Sequence, residues 1–259
     1  MGLEAHTAAH DFNRRILQAV AHRPWPMPDR PWLMTQTWHD LLFAHWPVPL
    51  DQLFPKVPQP LAIDLFEEHA WLGIVPFRMT NVAPRGVPAL PWISEFPELN
   101  VRTYVRVNGK PGVYFFSLDA GNPLAVQAAW LTLNLPYFSA SMNVVLDEGQ
   151  VRYSSRRLKD PTAQLVATYR PTGDAFEPRP DTLEYFLTER YCLYARNHRG
   201  QPYRLDIHHP PWPLQPADAT FVKNTMAEAA GLTLPRIPPL LHYARRQDMV
   251  AWGPERIQD

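Results

Sequence analysis

The chain predicts an α+β fold, a large antiparallel curled sheet with a few flanking helices. Three observations predict it. Apolar and polar residues alternate in many short segments. Turn signals join those segments in hairpin order rather than in strand–helix–strand order. Proline, at 30 of 259 residues, is about twice its usual share of roughly 5% and is spread along the whole chain. It is excluded from helix interiors and central strands, so its spread implies many short strands joined by stiff loops.

The elements follow in order. Residues 7–22 carry Phe12, Ile16 and Ala19 or Val20 at helical spacing, and "RPWPMPDRPW" stops that helix. Residues 32–46 read as strand, 50–64 as a short helix, a Pro-bounded turn and a strand start, and 70–82 as a buried strand. A Pro-rich loop at 87–96 leads into "FPELNVRTYVRVNG", residues 96–109, which alternates strictly. Leu99, Val101, Thr103, Val105 and Val107 share one face, and Glu98, Asn100, Arg102, Tyr104 and Arg106 share the other. Asn108-Gly109 is a hairpin turn, and 112–120 is the returning strand. Asn122 caps a helix over 123–134, with Leu124, Ala128 and Leu131 as its inward stripe. A second hairpin turns around Asp147–Gly149 within 144–157, and 163–171 is another strand. Residues 182–196 read as helix passing into strand, 201–217 as a strand ending in a Pro-rigid loop, 218–230 as a helix closed by Gly231, and 240–252 as the last strand. That makes nine or more strands and three or four helices. With no repeat and no linker, residues 1–259 read as one domain.

Composition narrows the function classes. Hydrophobic residues make up 46% and charged residues 19%, enough for a buried core. Twenty-five basic residues balance 25 acidic ones, which advertises neither nucleic acid nor an anionic membrane as a partner. The single cysteine, Cys192, allows no internal disulfide and fits a reducing compartment. The N-terminal residues lack the apolar run of a signal peptide, and His6 stands where a myristoylation signal needs Ser or Thr. No run of 18 apolar residues occurs, so no membrane span is expected and the cytoplasm is the expected location.

No phosphate-binding loop, dinucleotide fingerprint, zinc-protease motif, nucleophile elbow or CxxC pair is present, and no cofactor or metal is expected. His6 and His10 share a helical face but lack a third ligand. His208 and His209 are adjacent, so on a strand they point to opposite faces. Cys192 reads as core filler. The strongest chemistry lies on the polar row. Arg102 offers a fork for a carboxylate, and Glu98 offers a general base. Residues two apart on the row sit about 6.6 Å apart, and residues four apart about 13 Å, so Glu98 and Arg102 cannot pair directly on a regular strand.

The segments "LFPKVPQPLAIDLFEEHAWLGIVPFRM", "FPELNVRTYVRVNGKPGVYFFSLDA", "LNLPYFSASM", "HHPPWPLQ" and "PLLHYARRQDMVAW" resemble the YqjF-type uncharacterised bacterial family, from about residue 30 to 257. That family is distantly related to acetoacetate decarboxylase. The resemblance implies antiparallel strands curled into a barrel or cone around a pocket, with 1–30 as N-terminal helix and Pro-rich lead-in and 31–257 as barrel-like core. The decarboxylase uses a pair of lysines after a helix and a "YP" step, one of them forming a Schiff base. Here the step is Leu135-Pro136, followed by Tyr137 and Phe138, and both lysines are missing. The four lysines present, Lys56, Lys110, Lys159 and Lys223, sit elsewhere. Schiff-base decarboxylation is therefore not expected. The resemblance also puts a site glutamate on or near Glu98, loses an acidic position near Gly73, and places the site arginine around His45 to Pro47, where none occurs. Arg102 or Arg78 would stand in.

Three functional readings follow. The first is a pocket for a small organic acid or carbonyl compound. In it Arg102 anchors an anion, Asn100, Tyr104 and Tyr137 donate hydrogen bonds, and Trp92, Phe116 and Phe138 form apolar walls. The second is an enzyme acting on a carbonyl substrate by acid/base chemistry, with Glu98 and Tyr137 as catalytic residues; a catalytic Glu98 must be buried and titrate high. The third is a non-catalytic scaffold or homo-oligomer whose Trp- and Pro-rich loops form the interface.

Overall fold

The computed structural model describes residues 16–89 and 94–257. Residues 16–18 are helical, and the rest of the expected N-terminal helix, with His6 and His10, lies outside the described residues. Twelve strands occur among the described residues: β1 (Met34–Val48), β2 (Ala62–Ile63), β3 (Ala70–Pro84), β4 (Phe96–Val107), β5 (Lys110–Ala120), β6 (Tyr137–Asp147), β7 (Gln150–Arg157), β8 (Gln164–Pro171), β9 (Cys192–Arg196), β10 (Pro202–His208), β11 (Gln215–Asn224) and β12 (Leu240–Arg256). The helices between them are α1 (Leu50–Leu53), α2 (Pro123–Leu133), α3 (Leu183–Thr188) and α4 (Met226–Ala229).

Both predicted hairpins have two-residue turns. Asn108 and Gly109 take φ of 49° and 78°, Glu148 and Gly149 take 47° and 79°, and the positive values match the twist of the flanking strands. The helix after β5 is capped as expected, with Asn122 Oδ1 accepting from the backbone N–H groups of Leu124 and Ala125. It works as a crossover: β5 and β6 pair in parallel, Leu118 opposite Tyr137, a geometry no hairpin can reach. A second parallel contact joins β5 to β9. The other pairings are antiparallel.

Pairing runs β10-β9-β5-β6-β7-β8-β11-β12-β1-β3-β4-β2, and contacts β10–β12 and β5–β4 close the sheet on itself. Two closed circuits result. The run β12-β1-β3-β4-β5 is common to both; β9 and β10 complete the smaller circuit, and β6, β7, β8 and β11 the larger. The common wall therefore has an interior on each side. Leu42, Ala44, Leu72, Ile74, Leu99 and Val101 pack with Val151, Tyr153, Leu165 and Tyr169 of the larger circuit. Alternate residues on the same strands, Leu41, Phe43, Val75, Phe77 and Met79, pack on the other side. Period-two alternation thus separates two cores rather than core from solvent.

Two expectations need correction. Residues 218–230 are not one helix. Residues up to Asn224 belong to β11, which pairs with β8, and the helix is only α4. Ala217, Ala219 and Phe221 form the half-buried face of that strand while Asp218, Thr220 and Val222 face outward, so the true period was two. On α2, Leu124 is not inward: it is 64% exposed, and the Ala128 and Leu131 side chains lie outside the description. Ala125, Val126 and Leu133 of this helix pack against the buried clusters instead.

Gly112 on β5 sits at the seam where β9 joins. A Cβ there would lie 2.7 Å from Cys192 Sγ and from the Tyr194 ring, and 2.8 Å from the Cys192 carbonyl oxygen. Backbone cannot retreat cheaply in a closed sheet. Gly112→Ala is expected to destabilise the fold by about 1–3 kcal/mol, read as a lowered urea midpoint at unchanged slope.

Candidate functional site

The smaller circuit, with α2 and the start of β6, borders a partly open cavity of about 560 Å³. β4 supplies its polar wall, because Glu98, Asn100 and Arg102 point inward on every second residue while Leu99 and Val101 enter the filled core behind. β1 and β3 add Leu41, Val75, Phe77 and Met79, and β10 and β12 add Leu205, Ile207, Met249 and Ala251. Tyr137, the first residue of β6, reaches the same space.

Glu98 is 3% exposed. Its carboxyl accepts from the Tyr137 hydroxyl at 3.0 Å and from Asn100 Nδ2 at 3.2 Å. Burial pushes its pKa up to about 8, against the two hydrogen bonds, which favour the ionised form, and with help from the charge of Asp119. The group therefore holds its proton through neutral pH. Tyr137 is raised well above its usual value by burial and then by the neighbouring Glu98, so it remains a hydroxyl donor.

Arg102 stands further along the row. Its guanidinium reaches the Leu187 carbonyl at 3.2 Å and the Tyr104 hydroxyl at 3.4 Å, and lies over the rings of Phe43 and Tyr104. No carboxylate pairs with it among the described residues, whereas Arg190, also on the cavity wall, is tied to Asp64 at 2.6 Å. Three polar atoms of the lining are buried without a partner: Asn100 Oδ1, Arg102 Nε and Trp212 Nε1. Each such group forfeits about 1–3 kcal/mol of solvation. All three atoms belong to residues of the lining, whose other members are mainly apolar.

Of the remaining candidates, Tyr104, Phe116, Phe138 and Arg78 fall outside the cavity lining. Tyr104 is fully buried and hydrogen-bonds His45 Nε2 at 2.6 Å, so it acts behind Arg102. Gly73 leaves the room this pair needs: a Cβ would sit 3.1 Å from His45 and 3.3 Å from Arg102. Phe116 packs with Tyr114 beside the cores, and Phe138 covers the Arg157 guanidinium at 3.8 Å. Trp92 lies outside the described residues. Arg78 pairs with Asp40 at 3.6 Å. Cys192 borders the cavity with its thiol pushed up to about 11 by burial.

Among the lining residues, Thr188, Arg190, Trp38 and Trp212 were not singled out in sequence. Thr188, Arg190 and Cys192 line the cavity at alternate positions from the last residue of α3 onward, a period-two signal hidden in a helix-to-strand junction. Trp38 stacks on Trp212 at 5.8 Å, and both line the space. His208 and His209 do diverge. His208 faces the N-terminal segment, bonded to the Ile16 carbonyl, and His209 faces the cavity with its pKa lowered to about 4 by burial. Among the described residues no three His, Cys, Asp or Glu side chains gather as metal ligands, and no helix is long and apolar enough to cross a membrane.

Comparison with known proteins adds kinship. Residues 35–248 match the DUF2071 family, described as "Uncharacterized conserved protein". The chain is 47% identical to the uncharacterized protein YqjF of Bacillus subtilis over 226 residues, 87% of this chain and 93% of that one. Among solved structures, acetoacetate decarboxylase from Legionella pneumophila superposes with a TM-score of 0.59 at 14% identity, over 94% of this chain and 96% of that one. The enduracididine biosynthesis enzyme MppR complexed with pyruvate gives 0.60 at 10%, over 92% and 94%. At these identities the likeness is one of fold, and the curled sheet is acetoacetate-decarboxylase-like.

The raised Glu98 pKa sets a sign for pH dependence. The folded value lies above the unfolded one, so as pH rises the unfolded chain ionises first. This group's contribution to stability is full below about 4.5, falls as pH rises, and levels off above about 8. Glu98→Gln removes that fall. The stability of the variant relative to wild type is expected to rise by a few kcal/mol between pH 5 and pH 8.5 in urea titrations. An unchanged difference would mean that the carboxyl titrates as an ordinary one.

Proposed function

We propose that this chain, which belongs to the DUF2071 family, binds a small organic acid or carbonyl compound in the cavity of the smaller circuit. The observation that carries the reading is the inward row of β4. A protonated Glu98 held by Tyr137 and Asn100, and an Arg102 without a carboxylate partner among the described residues, line one cavity. A carboxylate would engage the Arg102 guanidinium, and a carbonyl oxygen would meet the Tyr137 and Glu98 hydroxyl groups. MppR was solved with pyruvate, a keto acid of this class. No lysine is among the residues lining the cavity, so the reading excludes a Schiff base as its chemistry.

A second reading is favoured by one observation. A general acid or base works best with a pKa near the working pH, and Glu98 at about 8 meets that condition. In this reading the ionised fraction of Glu98 removes a proton beside the ligand carbonyl, and Tyr137 donates to the developing oxyanion. Enolisation, isomerisation or hydration needs no more than these two groups.

Thermal-shift measurements with pyruvate, other small carboxylates and aldehydes test the first reading. A ligand at about 100 times its dissociation constant stabilises the fold by roughly 2.7 kcal/mol. Carboxylates are expected to shift the wild type and to lose most of that shift in Arg102→Gln; equal shifts in both proteins would reject Arg102 as the anchor. Exchange of the pyruvate methyl protons in D2O, followed by NMR, tests the second. Glu98→Gln is expected to slow it about 100-fold or more, and a wild type no faster than buffer would leave binding alone.

A further inference from the structure

We propose that the ligand of this cavity is amphiphilic, a keto acid or related carbonyl compound carrying an apolar chain, rather than a three- or four-carbon acid. The inference rests on the cavity as binding site and names its substrate class. Position in the smaller circuit is the first argument. That circuit has seven strands, in the order β12-β1-β3-β4-β5-β9-β10. Counting either way round, β4 is three strands from its far side, which is β10 on one path and β12 on the other. The polar row therefore faces β10 and β12 across the interior.

The chemistry of the two sides is opposite. From β4 come Glu98, Asn100 and Arg102. From β10 and β12 come Leu205, Ile207, Met249 and Ala251, with no charged or hydrogen-bonding side chain among the residues of those strands that line the space. These four belong to, or pack on, one continuous apolar cluster with Phe115 and Leu193. A ligand made only of polar atoms would leave that side bare of contacts. An apolar chain covers it, and each methylene taken from water adds favourable transfer energy.

Size is the second argument. A space of about 560 Å³ has the room of roughly 19 water-sized groups at about 30 Å³ each. Pyruvate fills about a third of that. The fit is to a polar head at Glu98, Tyr137 and Arg102 and a body of several carbons directed at Met249 and Ala251.

A homologous series decides it. Straight-chain 2-oxo acids from pyruvate to 2-oxodecanoate are titrated calorimetrically into the full chain. Kd is expected to fall about fourfold per added methylene and to level off once the chain has covered Leu205, Ile207, Met249 and Ala251. In Ala251→Phe the levelling is expected at a shorter chain. Ile207→Trp, which narrows the same side from β10, gives the same readout should the first variant fail to fold. A series that is flat from pyruvate upward overturns the inference and leaves the small-acid reading standing. A chain-length trend that neither variant shortens also overturns it, because the chain then lies elsewhere. Failure of every acid to bind overturns both readings.

Discussion

Everything else in the molecule depends on burying both faces of one wall. β12, β1, β3, β4 and β5 have a packed core on one side and the cavity on the other, so most of their positions are buried or half-buried, with Arg245, Arg246 and residues near the strand ends as the exposed exceptions. The two circuits are fastened across that wall by polar side chains from the larger one. The Tyr153 hydroxyl on β7 donates to the Glu98 carbonyl at 2.8 Å, and Tyr169 on β8 donates to the Asp40 carbonyl at 2.7 Å. Arg157 on β7 makes a two-pronged bond to Asp119 on β5, at 2.7 and 2.9 Å, with Phe138 stacked over it. A buried pair of this kind adds little net stability, since desolvation offsets most of the attraction, but losing one partner strands a charge in the core. Its value is in fixing how the larger circuit sits on the wall, and hence where the inward row of β4 points.

That arrangement explains what could be read in the chain. Alternation over residues 98–107, the turns at Asn108-Gly109 and Glu148-Gly149 and the Asn122 cap are local physics, and each corresponds to an element of the structure. Alternation names two faces but not their surroundings. A polar row looks the same in sequence whether it meets water or a cavity, and here 96–107 is buried on both sides except at its end. Closure of the sheet through β10–β12 and β4–β5 is a long-range property with no local mark.

The misreadings share that cause. Residues 215–224 carry small alanines that fit helix and strand alike, and pairing with β8 decided between them. Phe116 and Phe138 are each one step from a lining residue, Phe115 and Tyr137, and a neighbour one step off on a strand faces the opposite side. Trp38 and Arg190 could not be tied to the row, since only the closed circuit brings β1 and the segment after α3 to β4.

Two-sided burial also makes the strand register self-checking. In an ordinary sheet with one wet face, a slip of one residue exposes apolar side chains, and water tolerates the error in part. Here a one-residue slip of β4 would drive Glu98 and Arg102 into the filled core among Val151 and Leu165 while turning Leu99 and Val101 toward the cavity. Both compartments would object at once, one to stranded charge and the other to lost packing. The polar row is thus an address label for the strand as well as a candidate binding surface. Insertions and deletions should be tolerated in the loops that join the circuits and purged from the five strands they share.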